Sequence, residues 1–242
     1  MDTTTTNQRE KYMKKKLYEG SSKTLYSSEE EFLLVMAFSD KATLENGEII
    51  DVSGKGVLNN NISSFVMNKL EMIGIENHFI EKLNMREQLI QYVEMFPLQV
   101  VVSSVACGRF VKEFGMDEGF VFDKPIIDFK VKSREFKYPI VNEHQILNFG
   151  WLTKDEINTV KKQALRIYDF LSGLFIGIGI RLVECNLEFG RVFTGEESLV
   201  MLTDEISPDT CKLWHINSNE RLGFELLEKD PAKAYESYKL IA

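Results

Sequence analysis

The sequence predicts an α+β protein of two lobes around a cleft. Short segments with strand-like alternation crowd the first half of the 242-residue chain. Two long segments, 54–74 and 154–179, carry apolar residues at helical spacing instead. No regular strand–helix–strand alternation and no internal repeat runs through the chain, so strands and helices segregate.

The elements follow in order. Residues 1–12 are polar, begin with the low-complexity run MDTTTTNQRE, and are expected to form a disordered tail. KKLYEGSSKTLYSS (15–28) reads as two strands joined by a tight turn at Gly20-Ser21-Ser22. EEFLLVMAFSD (30–40) reads as a further strand. In 54–74, Val57, Leu58, Ile62, Phe65, Val66, Leu70 and Ile73 recur at helical spacing, and Gly74 is the expected stop. ENHFIEKL (76–83) and EQLIQYVEMFPLQVVVSSVA (87–106) read as strands, with Pro97 expected to break the second run because it cannot donate to a ladder. KPIIDFKVKS (124–133) is another strand. The helix at 154–179 has Thr153 as N-cap and Glu156 three residues on, a capping box. IRLVECNLEFGRV (180–192), a turn at Gly195, ESLVMLTDEIS (197–207) and a last helix from Pro231 complete the chain. The lobes are drawn at 13–96, rich in strands, and 97–242, mixed.

Composition narrows the function. The net charge is −8, and the only dense basic run is KYMKKK at 11–16, which argues against nucleic acid as a partner. No apolar run approaches the roughly 20 residues needed to span a bilayer, and the start has no apolar core of a signal peptide. Three well-separated cysteines, Cys107, Cys185 and Cys211, are expected as buried thiols in a reducing cytoplasm. His78, His144 and His215 show no metal spacing, and Trp151 and Trp214 are expected to pack.

Four motifs carry candidate chemistry. The turn Gly20-Ser21-Ser22 with Lys23 offers free backbone N–H groups and a cation to phosphates; taken alone, it reads better as an ordinary hairpin. Lys55 in GKGVLNNN starts a helix and can face an anion or simply be solvated. Gly108, Arg109 and Lys112 open a short helix in SSVACGRFVKEFG, either a phosphate pocket or a surface basic pair. In LTDEISPDTCKLW, Asp204, Glu205 and Asp209 crowd around Pro208. The strand before it, VECNLEFG (183–190), puts Val183, Cys185, Leu187 and Phe189 on one face and Glu184, Asn186 and Glu188 on the other. A hairpin at Gly195 can bring Glu188 to Asp204 as a two-carboxylate Mg²⁺ site, of the kind completed by substrate phosphate. Glu184 stands about 13 Å from Glu188 along a strand, too far to share the ion, and is expected to lie towards another substrate.

KLYEGSSKTLY, GKGVLNNNISSFVMNKLEMIGIENHFIEKL, VNEHQI, LVECNLEFG and DEISPDTCKLW, in that order and spacing, resemble the phosphoribosylaminoimidazole-succinocarboxamide synthases (SAICAR synthetases) over nearly all of the chain after residue 12. The resemblance implies antiparallel sheets with flanking helices and an ATP cleft between lobes. It implies an ATP-dependent ligase of purine biosynthesis, joining L-aspartate to carboxyaminoimidazole ribonucleotide (CAIR) through an acyl phosphate, with ATP and Mg²⁺ and in some relatives a homodimer. Gly20, Ser21, Ser22 and Lys23 then cover the ATP phosphates, Met95 is the adenine hinge, and Glu188 and Asp204 are the metal carboxylates, with Lys23, Glu188 and Asp204 catalytic. Ser103, Arg109, Lys132, Glu184, Asn186, Asp209 and Lys212 fall on the substrate side. The chain departs from the family pattern: Ser21 and Asn186 stand where lysine is usual, Ser103 and Lys212 where arginine is, Glu184 and Tyr138 where aspartate is, and Arg109 where serine is. The departures imply either relocated charge, with Arg109 supplying what Ser103 does not, or a nucleotide-binding regulatory homologue with altered or lost ligase activity.

Overall fold

In the computed structural model the described residues are 15–44, 46–195, 197–227 and 229–242. The expected tail at 1–12 lies outside them. The strands are β1 (Lys16–Glu19), β2 (Lys23–Ser27), β3 (Leu33–Phe38), β4 (Lys41–Thr43), β5 (Ile49–Asp51), β6 (Phe79–Lys82), β7 (Glu87–Gln91), β8 (Glu94–Val105), β9 (Val121–Val131), β10 (Ile140–Val141), β11 (Ile180–Thr194), β12 (Glu197–Thr203), β13 (Cys211–His215) and β14 (Arg221–Leu222). The helices are α1 (Lys55–Met72), α2 (Arg109–Phe114), α3 (Glu143–Asn148), α4 (Lys154–Ile176) and α5 (Pro231–Ile241), with a 3₁₀ turn at Gly223–Leu226.

Two antiparallel sheets form the frame. The first has the order β1-β2-β3-β7-β6, the second β10-β9-β8-β11-β13-β14 with β12 paired to β11; β4 and β5 make a separate hairpin. This is α+β, with the sheets dividing between Gln91 and Glu94. Among the described residues no helix is long and apolar enough to cross a membrane.

Side-chain alternation makes the second sheet two-faced. Leu98, Val100 and Val102 of β8, Phe129 of β9, Cys185, Leu187 and Phe189 of β11, and Leu213 of β13 are buried in the main core. Against them packs the apolar stripe of α4: Ile157, Val160, Ala164, Ile167 and Leu171. Its capping box forms as expected: Glu156 N donates to Thr153 Oγ1 at 3.2 Å, and Thr153 N to Glu156 Oε2 at 2.7 Å. α1 adds Ile62, Val66, Met67 and Leu70 to the same core, but the stripe is not the one its spacing suggests. Phe65 and Ile73 are exposed, while Lys55, Asn59 and Ser63 are fully buried.

Two further expectations are corrected. Pro97 breaks no strand; it lies inside β8, and the chain breaks instead between Gln91 and Glu94. Opposite Pro97 the β8–β11 register shifts, with Gly190 facing Met95 and Glu188 facing Gln99, so no regular ladder bond is asked of the proline. Val183 does not share the core face of Cys185, Leu187 and Phe189. A register shift between Leu182 and Glu184 turns it to a separate cluster with Val105, Cys107 and Trp214. All three cysteines are buried free thiols.

Candidate active site

The second face of the large sheet is polar because the same alternation puts Gln99 and Ser103 of β8, Asp128 and Lys130 of β9, Glu184, Asn186 and Glu188 of β11, and Lys212 of β13 on one side. Cross-strand register aligns Glu188 with Gln99, Glu184 with Ser103, and Glu184 with Lys212. A cleft of about 930 Å³ opens between this face and the small sheet, lined among others by Gly20, Ser21, Ser22, Lys23, Met95, Lys132, Glu188, Asp204 and Asp209.

At one end stands the Gly20 turn, closed by Gly20 N donating to Lys23 O at 2.8 Å. Ser22 Oγ donates to Glu205 Oε1 at 3.1 Å, and Lys23 Nζ reaches the same oxygen at 2.9 Å and also pairs with Asp204. Burial alone would lower the Lys23 ammonium; Asp204 and then Glu205 outweigh it and hold Lys23 charged, above its ordinary range. Asp204 has φ 63°, the left-handed region, so the chain turns sharply as it leaves β12. Its carbonyl accepts a bond from buried His78 Nε2 at 2.9 Å, and burial drops the His78 pKa to about 4. His78 is thus a neutral support for the Asp204 backbone.

Glu188 faces Thr203 across β11 and β12, so Asp204 follows one residue beyond. Lys132 pairs with Glu188, and Gln99 Nε2 donates to it at 3.4 Å. Burial first, and the charge of Asp204 second, raise the Glu188 carboxyl above its ordinary range. Buried Glu188 and half-buried Asp204 are hard-oxygen acids, and the charge of Asp204 disfavours that of Glu188, which suits a divalent cation between them. Among the described residues no group of three or more His, Cys, Asp or Glu gathers as a metal cage.

Further along the same face lies a second charged cluster, beyond the cleft lining. Glu184 accepts from Ser103 Oγ at 3.2 Å and pairs with Lys212 at 2.9 Å. Burial pushes Glu184 up, but Lys212 and then Lys130 bring it below its ordinary range. The cations acting on Glu184 are therefore Lys212 and Lys130. Arg109 instead pairs with Asp128 and stacks on Phe110 at 4.4 Å. Asn186 donates its amide to Thr210 O at 3.3 Å.

Asp209 lines the cleft with both oxygens engaged: Lys55 Nζ lies 2.5 Å from Oδ2, and Tyr238 donates to Oδ1. Lys55 is neither solvated nor free to take an outside anion; it is fully buried and ties α1 to the loop after β12. Sequence reasoning missed Glu205 as the shared partner of Ser22 and Lys23, although its place beside Asp204 in TDE was a signal. It also missed Gln99, two residues beyond Pro97 in a strand whose alternation marks it as outward. The Tyr238 contact to Asp209 had no local signal.

The fold and cleft define a class: a two-sheet α+β enzyme whose charged cleft sets a glycine turn and a lysine against a buried and a half-buried carboxylate. A family model described as SAICAR synthetase matches residues 16–238. A phosphoribosylaminoimidazole-succinocarboxamide synthase of Rickettsia rickettsii (strain Sheila Smith) is 84% identical over 230 residues, 95% of this chain and 98% of that protein. Among solved structures, the synthase of Ehrlichia chaffeensis superposes with TM-score 0.90 at 41% identity, covering 94% of this chain and 97% of that one. A type-2 SAICAR synthetase in complex with ADP superposes with TM-score 0.86 at 32% identity, covering 93% and 94%. The chain belongs to the SAICAR synthetase family.

Proposed function

We propose that the protein is an ATP- and Mg²⁺-dependent ligase of de novo purine biosynthesis, acting in the cytoplasm, that joins L-aspartate to CAIR and releases SAICAR, ADP and phosphate. The observation that carries this reading is the convergence of Lys23, Glu188 and Asp204 beneath the Gly20–Ser22 turn. Leu25, Leu34, Met36, Ile90 and Met95 give the cleft an apolar side that suits a purine base. In this reading residues 13–96 form the nucleotide lobe and 97–242 the substrate lobe.

A carboxylate is a poor electrophile, so amide formation needs activation. A CAIR carboxylate oxygen attacks the γ-phosphorus of ATP, the bond to the β-phosphate oxygen breaks, and ADP leaves. The aspartate amine then attacks the acyl carbon, its proton passes to solvent or a phosphate oxygen, and inorganic phosphate departs. Phosphoryl transfer depends mainly on positioning and charge neutralisation. Lys23 follows the charge that moves from the γ-phosphoryl group to ADP. Glu188 and Asp204 would hold Mg²⁺, which when bound neutralises phosphate charge. Lys132, released from Glu188, faces the transferred group. Gly20, Ser21 and Ser22 cover the phosphates and keep water from the acyl phosphate. The Glu184–Lys212–Ser103 cluster orients the ribonucleotide, with Asn186 and Asp209 framing it.

Isotope transfer tests the chemistry. CAIR labelled with ¹⁸O in its carboxylate is expected to deliver one ¹⁸O to the released phosphate. The other labelled oxygen stays as the amide carbonyl; phosphate released without ¹⁸O would contradict an acyl phosphate.

A further inference from the structure

We propose that Arg134 is the residue through which the cleft reads an oxyanion on the acceptor side of the reaction, a carboxylate or phosphate of CAIR or a carboxylate of aspartate. This rests on the ligase reading above. The cleft is lined by the cations Lys23, Lys132 and Arg134. Lys23 is held by Asp204 and Glu205, and Lys132 by Glu188. Among the described residues the Arg134 guanidinium has neither an ion pair nor a hydrogen bond. An incoming anion must break an existing pair to recruit either lysine, whereas Arg134 is available as it stands. Its planar fork matches a carboxylate or phosphate with two parallel bonds.

Position sets the side of the cleft that Arg134 serves. Arg134 leaves the end of β9 and reaches the β4–β5 turn: a Cβ added at Gly47 would lie 3.9 Å from its Nη2. That is the side lined by Thr43 and Ile49, not the apolar side suited to a base. The backbone that bears it is defined. Lys137 N donates to Arg134 O at 3.1 Å and Tyr138 N to Ser133 O at 2.9 Å, closing a tight turn. Arg134 therefore spans from the large sheet to the small hairpin across the cleft.

Steady-state kinetics with each substrate varied tests this. In Arg134→Ala and Arg134→Gln, KM for CAIR or for aspartate is expected to rise about 10- to 100-fold, the loss of one charge-assisted contact. The expected kcat stays within about threefold, ADP affinity is unchanged, and Arg134→Lys recovers part of the loss. A rise for CAIR assigns the anion to the ribonucleotide; a rise for aspartate assigns it to the amine substrate. Both KM values within about twofold of wild type, or an equal loss of ADP affinity, overturn the proposal. Wild-type turnover in the same assay separately checks the ligase reading. Should it fail, calorimetric titration of CAIR and of aspartate into ADP-loaded wild type and Arg134→Ala still decides. Weaker binding to the variant supports the proposal; equal binding, or none to the wild type, overturns it.

Discussion

Glu188 and Asp204 meet across the β11–β12 hairpin, and each is held by a different lysine, Lys132 for Glu188 and Lys23 for Asp204. Each lysine thus neutralises one acid of a buried and half-buried pair.

Glu188→Gln and Asp204→Asn are therefore expected to abolish the Mg²⁺ dependence of nucleotide binding and to lower kcat/KM by at least about 100-fold. Calorimetry with and without Mg²⁺ checks this. Unchanged, Mg²⁺-dependent ADP affinity in either variant would remove that residue from the metal site.

The Lys55–Asp209 pair supports folding. Lys55→Met leaves the Asp209 charge buried without its cation and should cost about 3–5 kcal/mol in urea denaturation. The double variant Lys55→Met/Asp209→Asn should recover part of that. A double variant as unstable as the single one would mean that lost packing, not the orphaned charge, sets the cost.

His78 gives the protein a pH signature. Its pKa falls from 6.5 to about 4 on burial, so the unfolded chain binds the proton first as pH drops. Its stabilising contribution is complete above pH 6.5 and is lost between there and about 4, amounting to roughly 3 kcal/mol. Denaturant midpoints of the metal-free protein at pH 7 and 4.5 should diverge less in His78→Gln than in wild type.

Gly190 allows β8 and β11 to approach where their register shifts. A Cβ there would lie 2.4 Å from Glu94 O and 2.6 Å from Val93 Cγ1. Gly190→Ala should cost at least about 2 kcal/mol, read as a lower thermal midpoint. A midpoint equal to wild type would show that the strands can part there freely.

Local signals made much of this legible. The Thr153–Glu156 box, the Gly195 hairpin and the acidic alternation of β11 are read from adjacent residues, and the last two bring Glu188 to the end of β12 beside Asp204. What stayed hidden depends on register between distant strands. Pro97 looks like a break until its place inside a bulge of β8 is known. Val183 looks like core until the shift at Leu182–Glu184 turns it over. The partners of Lys55, Lys132 and Arg109 lie 154, 56 and 19 residues away, set by packing that no local spacing records.

The most direct test follows ADP release by purified protein supplied with Mg²⁺ and ATP, adding CAIR and aspartate singly and together. Sustained ADP release with SAICAR formation only when both are present is the expected result. No turnover with all three substrates, alongside intact ADP binding, would contradict the ligase and leave a nucleotide-binding homologue without this chemistry.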